Sequence, residues 1–165
     1  MIGSDLAMRE KILTMPALST ALKARRTRKE RLVFTNGCFD LLHIGHTRYL
    51  QEARALGDCL IVGINSDASV RAIKTDGRPL VPQAQRAEVL AALACVDHVV
   101  IFDEPDPHAL IAAVLPDVLV KGGDWPIDQI VGREIVQARG GTVVTIPVVP
   151  DVSTTMLVQR IKSSA

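Results

Sequence analysis

The sequence predicts an α/β fold in which a five-stranded parallel sheet carries helices on both faces, and three observations lead to this fold class. Short apolar runs alternate with longer amphipathic stretches, which is the pattern of successive strand and helix units. The chain is 48% hydrophobic but only 3% aromatic, as expected of an aliphatic interior around a buried parallel sheet. A length of 165 residues fits one domain with a substantial core.

The elements follow one another in a regular order. Strands are predicted near residues 32–36, 59–64, 98–102, 118–121 and 142–146. Helices are predicted near residues 44–56, 83–94, 107–115, 128–139 and 154–163. Residues 1–30 are predicted to form a helical N-terminal appendage that packs on the sheet or on a partner subunit, and residues 31–165 to form the main domain. This organisation is Rossmann-like and doubly wound.

Composition excludes several classes of protein. A net charge of +1 argues against a general nucleic-acid binder, which needs a strong basic field. No run of 18 apolar residues and no signal-peptide pattern occur, so we expect no membrane partner and a cytoplasmic location. The three cysteines, Cys38, Cys59 and Cys95, lack CxxC spacing, which fits a reducing compartment and predicts neither a disulfide framework nor a zinc site.

The most informative segment joins the first predicted strand to the first helix of the main domain. It reads Thr35-Asn36-Gly37-Cys38-Phe39-Asp40-Leu41-Leu42-His43-Ile44-Gly45-His46. A strand that opens through a glycine-containing turn into a helix start favours a phosphate, because the first helical amides lack partners. His43 and His46 are three residues apart and share one face, and Gly45 leaves room for close approach. A metal half-site and a pair of helix-cap histidines are the alternatives.

These residues resemble the signature of the nucleotidyltransferase superfamily that includes cytidylyltransferases and pantetheine-phosphate adenylyltransferases. Further segments resemble, in order and spacing, the D-glycero-beta-D-manno-heptose 1-phosphate adenylyltransferases. They are residues 62–70 and 86–93, Val120-Lys121-Gly122-Gly123-Asp124-Trp125 and Ser153-Thr154-Thr155. The resemblance covers roughly residues 15–163, so we expect the stand-alone form of this enzyme rather than half of a bifunctional protein.

The resemblance implies adenylyl transfer from ATP to heptose 1-phosphate, with ADP-heptose and pyrophosphate as products. It implies Mg²⁺ bound mainly through ATP phosphates, with Asp40 as an assisting ligand, and a homodimer or higher homo-oligomer. Catalytic roles fall to His43, His46 and Lys121. No Ser-His-Asp or Cys-His arrangement suggests a covalent intermediate, and transfer at phosphorus depends chiefly on positioning and charge stabilisation.

The nucleotide site implied by the resemblance draws on three segments. Its residues are Asn36, Gly37, Cys38, Phe39, Gly45, Gly122, Gly123, Asp124, Ser153, Thr154 and Thr155. The hydroxyl residues at 153–155 either cap the last helix or hold the outer phosphates of the nucleotide. Residues 121–125 form either an ordinary turn or a wall of the base pocket. Members of the family commonly have glycine at the position of Asp151.

The acceptor site implied by the resemblance consists of Asp40, Asn65, Asp67, Lys74, Arg78 and Arg86. Asp67 is equally explained as a helix cap, and Arg86 as a packing residue. Residues 74–78 are expected to form a loop that closes over phosphates. His98 and His108 have no partners of matching spacing and are expected to be structural or surface residues.

All the main candidates follow predicted strands, and ligands of open parallel sheets bind beyond the carboxyl ends of the strands. We therefore expect residues 36–46, 65–67, 121–125 and 147–155 to meet in one crevice. Two other functions remain open. One is a cytidylyltransferase for a small phosphorylated alcohol such as glycerol 3-phosphate. The other is a catalytically silent nucleotide-binding module, since a doubly wound fold does not dictate chemistry.

Overall fold

The sheet contains five parallel strands. A computed structural model of the chain describes residues 8–74, 77–123 and 125–164. The strands are β1 (Leu32–Gly37), β2 (Cys59–Asn65), β3 (His98–Phe102), β4 (Val118–Gly122) and β5 (Thr142–Ile146). They pair in the order β3-β2-β1-β4-β5, and every pairing is parallel. The predicted fold class is confirmed, and each predicted strand agrees with the structure to within about one residue at either end.

Helices cover both faces of this sheet. They are α1 (Met15–Thr27), α2 (Ile44–Arg54), α3 (Asp67–Ile73), α4 (Gln83–Ala91), α5 (His108–Val114), α6 (Arg133–Ala138) and α7 (Thr154–Ser163). One core contains Leu22 of α1 and Ile111 of α5, and the opposite core contains Leu50 of α2 and Leu90 of α4. None of the helices in the described ranges is long and apolar enough to cross a membrane.

Two helical segments differ from the prediction. Helix α3 was not predicted, because seven residues are too few to show a helical period. The helix predicted at 128–139 is divided into a 3₁₀ turn, Ile127–Gln129, and α6. Gly132 lies between them with φ 82°, and a Cβ atom there would come within 2.6 Å of Ile111 Cδ1. Packing on α5 therefore imposes a conformation that interrupts the helix.

The described part of the predicted N-terminal appendage packs on the same chain. The Leu13 amide donates to the Val99 carbonyl at 2.9 Å, and the Val99 amide donates to the Lys11 carbonyl at 2.8 Å. This short parallel contact covers the outer edge of β3, an edge that would otherwise expose unpaired backbone groups. Leu18 and Leu22 of α1 are fully buried against the sheet.

The sheet order determines where a ligand can bind. Chain connections run outward from β1 through β2 to β3 and then cross to β4 and β5, so the strand order reverses between β1 and β4. A crevice forms beyond the carboxyl ends of two such strands, because their connections lead away in opposite directions. Residues 36–46 and 121–123, which follow β1 and β4, lie beside this crevice.

Candidate active site

The turn between β1 and α2 has an unusual backbone. Phe39 has φ 47° and Leu41 has φ 54°, so two residues with full side chains occupy the left-handed region on either side of Asp40. Such conformations persist only where surrounding contacts hold them, and they are frequent at functional sites. Asp40 provides several of those contacts, and they are described below.

His43 and His46 are arranged by the backbone at the start of α2. His43 is the N-cap residue, and its Nδ1 accepts a hydrogen bond from the Gly45 amide at 3.1 Å. The His46 Nδ1 accepts from the His43 amide at 3.4 Å, and the two rings stack with centroids 3.9 Å apart. Because each Nδ1 accepts, the proton of each neutral ring is assigned to Nε2. The two histidines therefore cap the start of α2, as one of the alternatives predicts. The caps use Nδ1, so both Nε2 groups remain available as donors.

The charge state of this pair follows from its surroundings. Burial lowers the pKa of His43, and burial together with the neighbouring His43 lowers the pKa of His46 to about 4. Both imidazoles are therefore neutral near pH 7 in the ligand-free protein. Neutral imidazole with its proton on Nε2 can donate that N–H to a phosphate oxygen without first gaining a second proton.

The low pKa of His46 predicts a pH-dependent stability. An unfolded histidine binds its proton near pH 6.5, whereas folded His46 does so only near pH 4, so acidification favours the unfolded state in this window. We expect the free energy of unfolding to fall by roughly 1–2 kcal/mol between pH 6.5 and 4, after discounting for partial exposure of the ring. Urea unfolding of the wild type and His46→Gln at several pH values measures this loss. An equal loss in both proteins would contradict the prediction.

The position of the His43 ring requires glycine at residue 45. A Cβ atom at this position would lie 2.9 Å from both Cε1 and Nδ1 of His43. Such a distance is shorter than carbon and nitrogen atoms tolerate, so any side chain at 45 displaces the ring or breaks its bond to the Gly45 amide. The glycine therefore permits the imidazole to lie over the helix start, in addition to leaving space for a phosphate.

A cavity of about 350 Å³ lies beside the two histidines. The turn after β1 and the start of α2 form one wall, and residues 146–149 and 152–154, which follow β5, form the opposite wall. Of the predicted nucleotide residues, those that line it are Asn36, Gly37, Cys38, Phe39, Gly45, Gly122, Ser153 and Thr154. The apolar wall of Pro147, Val148 and Val149 suits a flat base, and the histidine end suits phosphates.

The start of α7 closes the polar end of the cavity. The Ser153 hydroxyl accepts from the Met156 amide at 3.2 Å, which is an ordinary N-cap. The Thr154 hydroxyl donates to the Asp40 carbonyl at 2.8 Å, whereas Thr155 is exposed and lies outside the cavity wall. With the Met156 amide bound to Ser153, the donors left for a phosphate at this end are the amides of Thr154 and Thr155, which as first helical residues have no intrahelical acceptor. Asp151, just before the cap, has φ 57°, a conformation that glycine adopts without strain.

Lys121 lies between the ends of β1 and β4. Its Nζ donates to Asn36 Oδ1 at 3.1 Å, and Asn36 in turn lines the cavity. Burial lowers the pKa of Lys121, so its ammonium group gains from any anion that enters beside it. Burial also raises the pKa of the Cys38 thiol, which disfavours the thiolate that a nucleophile at this position would need.

The end of β4 reaches the cavity through the backbone of Gly122, whereas Gly123 and Trp125 are not among the residues that line it. Gly122 lines the cavity, and Gly123 has φ 90° and donates its amide to the Ile146 carbonyl at 2.9 Å. The predicted nucleotide residue Asp124 lies outside the described residues. Trp125 is 56% exposed, so its side chain does not pack in the core.

Asp40 is fully occupied by contacts within the chain. Its carboxylate accepts from the amides of Leu80 and Val81 at 2.8 and 2.9 Å and forms an ion pair with Arg78 Nε at 2.8 Å. The side chain has no solvent exposure. A direct contact of Asp40 with substrate remains a prediction; the observed role is to hold residues 78–81 against the turn after β1.

The remaining acceptor candidates form a second internal network. Arg86 is 2% exposed, and its guanidinium donates to the carbonyls of Val81 and Cys38 and to Asp67 Oδ1, at 2.9, 2.6 and 2.7 Å. The helix-cap alternative for Asp67 is wrong, because the N-cap of α3 is Ser66, whose hydroxyl accepts from the Ser69 amide. Asn65 is buried, and its Nδ2 donates to Ser69 Oγ.

These contacts place Asp40 and Arg86 against residues 78–81, while the contact of every acceptor candidate with substrate remains a prediction. Asp40 and Arg86 contact these residues from inside and Asp67 pairs with Arg86, whereas Lys74 is exposed after the last residue of α3. Arg78 is partly exposed, with 20% of its side chain accessible. Among the acceptor candidates, Lys74 and Arg78 are thus the cations whose side chains reach solvent, and a contact of either with a phosphate remains a prediction.

Tyr49 is a cavity residue that the sequence analysis missed. Its ring lies against Gly122, where a Cβ atom would be 3.5 Å away, and its hydroxyl pairs with Thr35 Oγ1 at 2.6 Å and donates to the Val120 carbonyl at 3.2 Å. Burial raises the pKa of Tyr49 to about 12, so it remains a neutral phenol. One signal was available: Tyr49 lies three residues after His46 and therefore on the same face of α2.

Comparison with known proteins finds relatives that align with nearly the whole chain. Residues 34–160 match the family described as cytidylyltransferase-like. Two proteins named bifunctional protein HldE, from Geotalea uraniireducens and Pseudomonas syringae pv. syringae, are 54% and 52% identical over 155 and 151 residues. The alignments cover 94% and 92% of this chain but 32% of each relative, so the chain spans about a third of the length of the curated relatives it matches.

Solved structures share the same architecture. A lipopolysaccharide core biosynthesis protein from Thermoplasma volcanium matches with a TM-score of 0.59 at 29% identity, covering 73% of this chain and 97% of that one. Pantothenate synthetase from Thermus thermophilus matches with a TM-score of 0.59 at 18% identity, covering 84% of this chain and 62% of that one. The second likeness, at its low identity, shows the fold alone.

Proposed function

The chain belongs to the cytidylyltransferase-like family of nucleotidyltransferases, and we propose that it transfers AMP from ATP to D-glycero-D-manno-heptose 1-phosphate. The products are ADP-heptose, a precursor of lipopolysaccharide or a related surface polysaccharide, and pyrophosphate, which is the leaving group. The family match confirms the predicted class of enzyme. The heptose assignment is supported by the motifs at 62–70, 86–93, 120–125 and 153–155 and by the identity to the HldE proteins.

One observation carries the proposal: two stacked, neutral histidines leave both Nε2 donors beside a cavity at the reversal point of the sheet. The cavity has an apolar wall of a size suited to a base and, at its other end, the start of α7, whose first amides have no intrahelical acceptor. ATP is an elongated ligand with a flat base and an anionic tail. Its two parts match the two ends of the cavity.

The chemistry follows from this arrangement. An oxygen of the acceptor phosphate attacks the α-phosphorus of ATP, a new phosphorus-oxygen bond forms, and the bond to the bridging oxygen of the leaving pyrophosphate breaks. Negative charge accumulates on the non-bridging oxygens and on the leaving group. Donors fixed in advance at those positions stabilise the transition state more than the ground state. His43 and His46 donate near the α-phosphate, and the amides of α7 and Lys121 balance the charge of the departing phosphates.

Magnesium enters this proposal as part of the MgATP substrate. The phosphates and water supply its ligands, since Mg²⁺ commonly retains several waters at such sites. Asp40 does not fit as a direct ligand, because its carboxylate already accepts from Leu80 and Val81 and pairs with Arg78. Among the described residues, no group of three or more His, Cys, Asp or Glu side chains gathers in a way that could hold a metal. A homo-oligomeric state and a cytoplasmic location remain predictions.

Pyrophosphate release tests the proposal. The purified protein is mixed with ATP or CTP and with heptose 1-phosphate or glycerol 3-phosphate, and kcat/KM is measured for each pair. We expect ATP with heptose 1-phosphate to exceed every other pair by at least about tenfold, a difference of roughly 1.4 kcal/mol in the transition state. His46→Ala is the control for contaminating activity.

The other outcomes identify the rival functions. A preference for CTP with glycerol 3-phosphate would make the protein a cytidylyltransferase and overturn the assignment. Nucleotide binding without pyrophosphate release from any pair would support a catalytically silent binding module. The HldE proteins are about three times as long as the matched segment, so the assay uses this chain by itself and tests the activity of this segment alone.

A further inference from the structure

Asp40 contacts both ends of the candidate active site at once. Its backbone carbonyl accepts from the Thr154 hydroxyl at the start of α7, and its carboxylate accepts from the amides of Leu80 and Val81. Thr154 is 114 residues away in sequence, and the two amides are 40 and 41 residues away. One residue therefore joins the helix that faces the nucleotide phosphates to residues 77–82, which we call the acceptor segment.

We propose that Asp40 is a positioning residue that couples nucleotide binding at α7 to the placement of the acceptor segment. The coupling rests on the proposed function only in naming the acceptor as the ligand of this segment. Its physical basis is that the hydrogen bond from Thr154 to the Asp40 carbonyl and those from Leu80 and Val81 to the Asp40 carboxylate meet on one residue, whose covalent structure joins them. Asp40 therefore acts through its neighbours, without touching the reacting atoms.

Because Asp40 is buried, the contacts of its carboxylate with the acceptor segment are costly to break. Its side chain is completely buried, and an ionised carboxylate without solvent requires hydrogen-bond donors and a cation. The acceptor segment supplies both, through two amides and the Arg78 guanidinium. If the acceptor segment moves away, the carboxylate loses all three partners together. The segment is thus held in place by the cost of leaving that charge unpaired.

The contact between Asp40 and Thr154 depends on the backbone of the turn after β1. Asp40 lies between two residues in the left-handed conformation, Phe39 and Leu41, and such a turn needs outside contacts to persist. The Thr154 hydroxyl is one of these contacts. A nucleotide whose phosphates bind the first amides of α7 restrains Thr154, and through it the orientation of Asp40. Nucleotide binding should then stabilise the acceptor segment, and by reciprocity the acceptor should strengthen nucleotide binding.

A second contact supports the same segment without involving α7. Arg86 Nη1 donates to the Cys38 carbonyl and Nε donates to the Val81 carbonyl. This bridge links Val81 to the turn after β1 without passing through Thr154 or α7. A variant that removes only the Thr154 contact should therefore weaken the coupling while the segment keeps its fold, which makes the coupling accessible to experiment.

Amide hydrogen exchange of Leu80 and Val81 gives a direct readout. We expect a saturating, non-hydrolysable ATP analogue to slow exchange of these two amides by about fivefold or more in the wild type, the lower end of usual coupling factors. In Thr154→Val, which keeps the shape and loses the hydroxyl, the slowing should fall below about twofold at equal occupancy. Thr20→Val is the matched control, because its hydroxyl also donates to a backbone carbonyl but lies on α1.

Asp40→Asn provides the second variant. It keeps the size of the side chain and removes the charge, so the Leu80 and Val81 amides should exchange about tenfold faster than in the wild type, with the affinity for the ATP analogue changed by less than about threefold. For the active acceptor, KM should rise more than kcat falls. If Asp40→Asn does not fold, Thr154→Val still decides the question.

The proposal is overturned if the nucleotide slows exchange equally in the wild type and Thr154→Val, or does not slow it in the wild type. These measurements require a bound nucleotide and no acceptor. The failure of the coupling is therefore distinguishable from the failure of the heptose assignment, which is judged by pyrophosphate release. If the protein prefers CTP, the same exchange experiment is carried out with a CTP analogue.

Discussion

His46→Ala is expected to lower turnover by about a hundredfold or more, the usual cost of losing one preorganised donor to the transition state. The ring contributes its Nε2 group to the cavity, while its Nδ1 accepts only a long hydrogen bond of 3.4 Å from the His43 amide. Loss of that bond should cost little stability. Single-turnover rates with ATP and the acceptor measure the effect on chemistry, and thermal unfolding measures the effect on the fold.

Two further variants separate the donor from other roles of the ring. His46→Gln retains an N–H donor of similar reach and should recover part of the lost rate. Arg48→Ala, on an exposed position of the same helix, should leave both rate and stability near the wild-type values. A folded His46→Ala protein that turns over at nearly the normal rate would show that His46 serves only the helix start, and the mechanism proposed here would be wrong.

The strands and the sheet were predictable because their signals are local. Runs such as Leu32-Val33-Phe34 and Cys59-Leu60-Ile61-Val62 are continuous and apolar, which indicates strands buried on both faces. The break before α6 was not predictable, because Gly132 adopts its conformation under the side chain of Ile111, a residue from another helix. Helix α3 was too short for its period to be visible.

In the candidate site, too, local features were predictable from the sequence and contacts between distant residues were not. The turn after β1 and the two histidines form one contiguous segment, so their joint position at a helix start could be inferred from the sequence. Asp40, Asp67 and Arg86 were selected as acceptor contacts by resemblance, but their observed partners come from distant segments of the chain. Whether a buried charge faces a ligand or another residue depends on which segments the fold brings together. A single sequence carries no direct record of those pairings.

Gly45→Ala is expected to separate activity from stability. Alanine favours a helix over glycine by roughly 0.5–1 kcal/mol, so the helix start itself should tolerate or gain from the change. The new Cβ atom, however, would lie 2.9 Å from two atoms of the His43 ring. The ring must rotate away, which breaks its hydrogen bond to the residue 45 amide and its stacking on His46. We expect turnover to fall by about tenfold to a hundredfold.

The control for this variant is Gly122→Ala, which also adds one methyl group beside the cavity. There the Cβ atom would lie 3.5 Å from the Tyr49 ring, an ordinary van der Waals contact that requires no displacement. Its turnover at saturating substrate should fall much less than that of Gly45→Ala, with any loss confined to the KM for nucleotide. Thermal unfolding and kcat measured side by side test the pair. If Gly45→Ala lost stability in proportion to its loss of rate, or if both variants lost turnover equally, the placement of His43 over Gly45 would not be what the reaction requires.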